Sequence, residues 1–309
     1  MSQGNERRAD LELLRVVLCT AVILQHAVLI FAAEPRYHLK SAVPSAWASI
    51  LYEFLRIFAM PPFFTIAGWA AVQSLRRRSP ARFLRERLVR LVVPLIAGIL
   101  LLGPIIKFIE LGQGRDLSLS GFRLVPPLTM PFLAFLPRYY TRIALVTWSH
   151  LWFLAYLALI SVALLPLLVH LARRAPAAFV PGAALIYLPA VPLALVLTLF
   201  HGYWPYLPNL LTDWTNFAYF ALCFATGAAI GAWPGFEVRL QAEVPRLAVL
   251  GMIAFVGVTM VGESTAGRAL VGVTAWCCIG AAWGAMRRLR PARSAVLVRL
   301  SEATLPVYV

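Results

Sequence analysis

Arg15 and His26 stand eleven residues apart in a run that is otherwise almost entirely apolar. At 100° per residue this spacing returns to within about 20° of the same helix face, with roughly 16 Å between the two levels. One face of such a helix carries a cation near one end and an imidazole deep in the apolar run. An imidazole with an unperturbed pKa of about 6.5 can take a proton from a hydroxyl at neutral pH. The same ring could equally be a buried histidine bonded to a neighbouring carbonyl. Glu12 and Arg15 lie three residues apart, as do Glu53 and Arg56 in the next apolar run. Each couple can pair on one helix face. Alternatively, Glu53 orients or charges His26, and Arg56 binds an anion. Arg87 and Arg90 have the same spacing, and two guanidinium forks suit phosphate oxygens. A helix starting there, near residue 88, would add the attraction of its N-terminus. The surrounding block of seven arginines between 76 and 90 reads equally well as an anchor on anionic lipid heads. His150 and Trp152 open a later run. Trp at that level fits an interfacial belt, although both residues could face a sugar. His201-Gly-Tyr-Trp-Pro-Tyr206 reads the same way, and His38 and His170 read as surface residues.

The elements that must position these groups are helices in a membrane. The chain has 309 residues, 61% of them hydrophobic and only 13% charged. A soluble domain carries roughly 25% charged residues. A hydrocarbon core of about 30 Å needs some 20 apolar residues per helix. The hydrophobic pattern predicts helices over 12–33, 46–75, 88–110, 147–170, 178–200, 214–233, 246–262 and 268–286. The expected fold is an all-α polytopic transmembrane helix bundle of about eight spans, in a single domain over 1–309. Pro61-Pro62 predicts a bend in the second helix. Arg15 and His26 within the first run argue against a cleavable signal peptide. A β-barrel is disfavoured because the apolar runs do not alternate. The segment 111–146 is long and proline-rich, and its stretch 124–137 reads as a re-entrant or surface-lying piece shielded by protein. Cys19, Cys223, Cys277 and Cys278 lie in apolar runs and read as small packing residues; no metal site is indicated.

The net charge of +15 does not point to nucleic acid, because the basic residues cluster in short segments between apolar runs. With the N-terminus inside, eighteen of the 28 Lys and Arg fall on inner segments and eight on outer ones, leaving Arg15 and Arg56 within helices. This asymmetry predicts a cytoplasmic N-terminus and a multi-pass protein of the cell inner membrane.

The order of these groups is familiar. Arg15, ten residues and His26 resemble the Arg-X10-His signature of the membrane acyltransferase-3 family. Arg87-Leu-Val-Arg90 resembles that family's Arg-X-X-Arg motif, and Met60-Pro-Pro-Phe-Phe-Thr-Ile-Ala-Gly68 its PLFFxxSG stretch. His150-Leu-Trp-Phe-Leu154 and Asn216-Phe-Ala-Tyr-Phe-Ala-Leu-Cys-Phe-Ala-Thr-Gly227 look most like the glucan-modifying branch. Leu300-Ser-Glu-Ala-Thr-Leu-Pro-Val-Tyr308 resembles the lead-in to a last helix, which the resemblance leads one to expect beyond Val309. Two positions depart from the pattern: Glu12 stands where the family has Asp, and Ala67 where it has Ser.

The resemblance implies an O-acyltransferase that moves an acyl group from cytoplasmic acyl-CoA to a hydroxyl of a periplasmic or surface carbohydrate, a glucan or polysaccharide. It implies no tightly bound cofactor, with acetyl-CoA or succinyl-CoA as co-substrate. His26, Arg15 and Glu53 would form the catalytic set; Arg87, Arg90 and Arg15 would hold the donor; His150, Trp152 and Arg56 would meet the acceptor. Two other classes compete: a transporter or flippase for a glycan or lipid-linked glycan, and a non-catalytic scaffold. The absence of a visible internal repeat weighs against the transporter.

Overall fold

The computed structural model describes residues 8–118, 121–174, 179–203, 209–292 and 294–308. Arg7 and Arg293, counted above among the inner basic residues, lie outside the described residues, as do residues 204–206 and Val309. Helix α1 (Ala9–Leu29) leads through a loop to α2 (Ala46–Leu75). Lys40 of that loop donates to the Leu29 and Ala32 carbonyls, acceptors that the end of α1 leaves open. The Ser45 hydroxyl caps α2. As expected from its bounds, α2 runs through Pro61–Pro62 as one helix.

The next span differs from its expected bounds. Ser79 caps and Pro80 opens α3 (Pro80–Leu101), so the helix starts two turns before residue 88. It bends by 44° into α4 (Gly103–Gly112). Pro104 has no N–H for the Leu100 carbonyl, and the Tyr140 hydroxyl donates to that carbonyl instead, at 2.7 Å. Tyr139 does the same for Ile99 at 2.9 Å. Both tyrosines lie on α5 (Phe132–Thr141). Before it comes an antiparallel hairpin of β1 (Arg115–Ser118) and β2 (Gly121–Leu124), with Arg115 opposite Leu124. The segment 111–146 therefore folds as a hairpin and a helix laid on α4.

A short turn at Ser149–Leu151 feeds α6 (Trp152–Ala163), which bends by 62° into α7 (Leu165–Arg173). There follow α8 (Ala183–Tyr187), α9 (Ala190–Leu199), α10 (Trp214–Ala232), α11 (Gly235–Val261), α12 (Thr265–Leu289) and α13 (Ala295–Tyr308). The expected start of α11 at 246 moves back to Gly235, because Pro245 sits inside the helix without ending it. α13 packs on α1, where the Cys19 Sγ meets the Thr304 carbonyl at 3.7 Å. The cysteines are free, three of them buried and Cys278 half-buried.

Among the described residues, five helices, α1, α2, α10, α11 and α12, are long and apolar enough to cross a membrane, and counting each bent pair, α3–α4 and α6–α7, as one span brings the number to seven. The remaining expected span, 178–200, resolves into α8 and α9, whose apolar stretch 183–199 is shorter than the others. α11 has the highest mean hydropathy of the five, 2.0, yet only 28% of that window is buried. Its Met252, Ile253, Val256 and Met260 point outward. An apolar face turned out of the bundle is what lipid requires. The chain is an all-α polytopic bundle.

The tightest packing joins α2 to α10. A Cβ on Gly68 would overlap the Phe224 carbonyl, and one on Gly227 the Thr65 carbonyl; Gly231 lies against Trp69. Gly227 and Gly231 form a small-xxx-small stripe of the kind that lets membrane helices approach backbone to backbone. Gly227→Ala should therefore lower thermal stability in detergent by about 1–3 kcal/mol. Gly112→Ala, where a Cβ meets nothing, should leave it unchanged.

Lys107 holds the hairpin. It is 1% exposed, donates to Glu110 at 2.6 Å and to the Leu117 carbonyl at 3.1 Å, and pairs with Asp116. Removing one partner of a buried ion pair costs about 3–5 kcal/mol. Lys107→Met should destabilise the protein by that order. Trypsin should then cut faster at Arg115 and Arg123, as mass spectrometry of the fragments would report.

Candidate functional site

Two separate cavities lie at opposite ends of α1 and α2. The first, of about 670 Å³, is lined by His26, Glu53, Arg56, His150 and Trp152 among others. The second, of about 590 Å³, is lined by Arg8, Glu12, Arg15, Arg77, Arg90 and Glu302. Both Arg15 and His26 thus face the bundle interior, as their spacing predicts.

His26 Nδ1 lies 2.8 Å from the Val22 carbonyl one turn back. A carbonyl can only accept, so Nδ1 carries the proton and Nε2 keeps its lone pair. The carbonyl bond and the base role, set against each other above, are therefore compatible. The ring stands 6.3 Å from His150, edge to face, and 6.2 Å from Tyr37. Glu53 does not bond to His26; it receives Arg56 Nε at 2.9 Å and pairs with that guanidinium. The couple lines the cavity as a neutralised unit. Glu34 and Arg36 form a similar pair on the wall. Burial alone would raise the Glu34 carboxyl, but the Arg36 hydrogen bonds outweigh it and hold that carboxyl below its usual value.

The sequence reading missed three features of this wall. His38, read as a surface residue, is held between Glu110 and Ser149, whose Oγ lies 2.8 Å from Nε2. Its partners are remote in sequence, so only the fold could reveal them. The hairpin contributes Leu117, Ser118, Gly121 and Phe122, and covers this end of the cavity. The third stands behind the wall, where Asp213 caps α10 and receives from the wall residue Asn216 its backbone N–H at 3.0 Å and its side-chain amide at 2.6 Å, and the Tyr156 hydroxyl at 2.7 Å. Burial pushes the Asp213 carboxyl up to about 7 against these bonds. An Asp-Trp-Thr-Asn cap before an apolar run was a legible signal. His201 also lines the cavity.

An aromatic layer separates the two cavities. Phe64 stacks on Phe220 at 4.4 Å and meets Phe153 edge-on at 4.9 Å; Trp152 lies 5.3 Å from Phe220. Beneath it, Phe224 lies 5.5 Å from the Arg87 guanidinium, with Phe83 at 5.6 Å on another side. Arg87 Nε donates to Ser161 Oγ at 2.7 Å. Arg87 and Arg90 therefore do not share one clamp. Arg90 lines the arginine-rich cavity with Arg15, whereas Arg87 turns into the bundle between α3, α6 and α10. Because α3 starts at Pro80, the helix N-terminus is two turns from Arg87 and adds nothing there.

Residues 8–309 match the acyltransferase-3 family, described as an acyltransferase domain. The chain is 27% identical over 157 residues to the glucans biosynthesis protein C of Escherichia coli O1:K1, of strain E24377A and of strain EC4115. These matches cover 50% of this chain and 37% of each relative, so the chain spans well under half the length of the curated relatives it matches. No solved structure matches. Apolar helices stacked into a bundle, with an arginine and a histidine on one face of the first, thus coincide with a family match over almost the whole chain: this protein belongs to the acyltransferase-3 family of multi-pass membrane proteins.

Proposed function

We propose that the chain is an acyl-CoA-dependent O-acyltransferase of the cell inner membrane, acting on a hydroxyl of a periplasmic or surface carbohydrate. The observation that carries this reading is His26, with Nε2 left free by the Val22 bond, on the wall of a large cavity. On the same helix face, one cavity away, stands Arg15 among further arginines. The excess of basic residues at that end supports a cytoplasmic N-terminus, which turns the arginine-rich cavity toward the compartment that supplies acyl-CoA.

The donor's phosphates would rest on Arg15 and Arg90, which present forked donors to phosphate oxygens. Its pantetheine arm would run inward past Arg87 toward the aromatic layer. The acceptor would enter the His26 cavity from the opposite side of the membrane. There the Nε2 lone pair takes the hydroxyl proton as the oxygen attacks the thioester carbonyl. The tetrahedral intermediate collapses to the ester and releases the CoA thiolate. The imidazolium returns its proton to that sulfur, leaving a free thiol and a regenerated base. The cavity's mixture of paired charges, His150 and the Trp152 ring suits a sugar, which offers both hydroxyls and an apolar ring face. The glucan-related name of the relatives points the same way, while acetyl and succinyl remain the two donor groups to compare.

Membranes containing the chain should release thiol from acetyl-CoA or succinyl-CoA when glucan is added. His26→Ala should lower that rate by roughly 10²–10⁴-fold, the usual contribution of a general base. Acceptor-dependent release that survives in the variant would remove His26 from the mechanism. Equal background release from both would favour transport or scaffolding.

Arg90→Ala should raise the KM for acyl-CoA by roughly tenfold, the loss of one charge-assisted hydrogen bond, and leave the KM for the acceptor unchanged. An effect on the acceptor alone would place the donor elsewhere.

A further inference from the structure

Among the described residues, three buried side-chain atoms without a hydrogen-bond partner belong to residues lining the His26 cavity: Gln25 Oε1, Asn216 Oδ1 and Arg268 Nε. Asn216 stands apart from the other two. The residue is 1% exposed, and both its backbone N–H and its amide NH2 are engaged. Its backbone N–H and its side-chain NH2 both donate to Asp213, at 3.0 and 2.6 Å. Asp213 is in turn anchored by the Tyr156 hydroxyl at 2.7 Å. With Asp213 ionised, the NH2 end of the amide must face the carboxylate. The carbonyl end is therefore held in one orientation with nothing to accept from. A buried acceptor left unsatisfied costs about 1–3 kcal/mol, so the site favours any ligand that brings a donor to it.

Position narrows the ligand. Asn216 and Phe220 are four residues apart on α10 and line the same cavity. Phe220 belongs to the aromatic layer with Phe64 and Trp152. Asn216 therefore sits one turn beyond that layer, on the side away from Arg87 and the arginine-rich cavity. A donor arriving from the arginines meets the layer first; a molecule entering from the other end meets Asn216. The Trp152 and Phe220 rings below offer a surface for the apolar face of a sugar ring, and the amide carbonyl above can read one of its hydroxyls. We infer that Asn216 is an acceptor-binding residue whose Oδ1 takes a hydrogen bond from a sugar hydroxyl, in a fixed orientation set by Asp213 and Tyr156. This assignment rests on the acyltransferase reading for the identity of the acceptor, and on the geometry alone for the position of the subsite.

The test uses the full chain in detergent at a pH above the Asp213 value of about 7, with short linear β-glucan oligosaccharides as probe. Asn216→Ala removes the carbonyl. Asn216→Ser also removes it, but keeps a hydroxyl able to donate to Asp213, which guards against a simple loss of folding. Both should raise the acceptor KM by roughly tenfold, as one lost hydrogen bond predicts, with the KM for acyl-CoA unchanged. Thermal stabilisation by the oligosaccharides should shrink in both variants. An unchanged acceptor KM in Asn216→Ser, or donor and acceptor constants moving together, would overturn the inference. If the wild-type chain releases no thiol, the transferase reading fails, and oligosaccharide stabilisation alone decides: a shift in wild type lost in Asn216→Ser supports the subsite, and equal or absent shifts sink it.

Discussion

The backbone-to-backbone contact of α2 with α10 is the constraint on which the rest of the molecule depends. Gly68 and Gly227 each leave room for a carbonyl of the partner helix. No side chain lies between the helices at that level, so the residues one turn away are drawn together. Phe64 reaches Phe220 at 4.4 Å only because the axes are this close. The same contact turns one stripe of α10, Asn216–Phe220–Phe224, toward α6 and α3. Along it lie the cavity wall, the aromatic layer and the seat of Arg87. In lipid, where apolar surface gains little from mere burial between helices, such close packing takes over the role that the hydrophobic effect has in water.

Charge is sorted along this frame as the low dielectric demands. An ionised group in the bilayer is costly unless paired or placed on a wet cavity. The middle layer of α1 and α2 is apolar, and the ionisable side chains of these helices collect at the two ends. Glu53 and Arg56 neutralise each other on one wall, as Glu34 and Arg36 do beside them. Arg8 and Arg287 converge on Glu237 at the other end. Arg87 is the exception, far inside and facing a hydroxyl and two rings rather than a carboxylate. A guanidinium is weakly hydrated and stacks on aromatic faces, which makes it the basic group best suited to that place.

Local signals foretold what local physics decides. The eleven-residue spacing of Arg15 and His26 fixed a shared face. α2 matched its predicted bounds because Ser45 and the arginine run mark its ends. α3 and α11 began earlier than predicted because charged residues were read as loop. Ser79-Pro80 is a strong helix start, and long basic side chains can lie along a helix while their heads reach water. Proline gives no uniform signal. Pro61–Pro62 lie within α2, inside its predicted bounds, and Pro245 is absorbed within α11, while Pro104 marks a break that α5 tyrosines repair. Neither outcome follows from the chain locally, since each depends on what a remote element supplies. The same holds for His38 and for Asn216, whose significance lies in partners and in a vacant carbonyl that only the packed bundle creates.

Under the proposed function, the broken spans and the aromatic layer answer one physical problem: a site joining a charged, water-soluble donor to a sugar across a membrane would need wet chambers at both ends and a dry partition between them. Irregular backbone at membrane depth survives only where protein or a cavity covers it. The bends of α3–α4 and α6–α7 satisfy that condition: the tyrosines and the hairpin cover one, and the turn before α6 opens onto the His26 cavity. The apolar rings of Phe64, Phe153, Phe220 and Trp152 would keep water from the middle of that path. A thioester that reacted with water there would lose its acyl group before meeting an alcohol. Under the proposed chemistry, the rings would serve transfer by denying hydrolysis its reagent. The two cavities, and the partition that keeps them apart, then belong to one device.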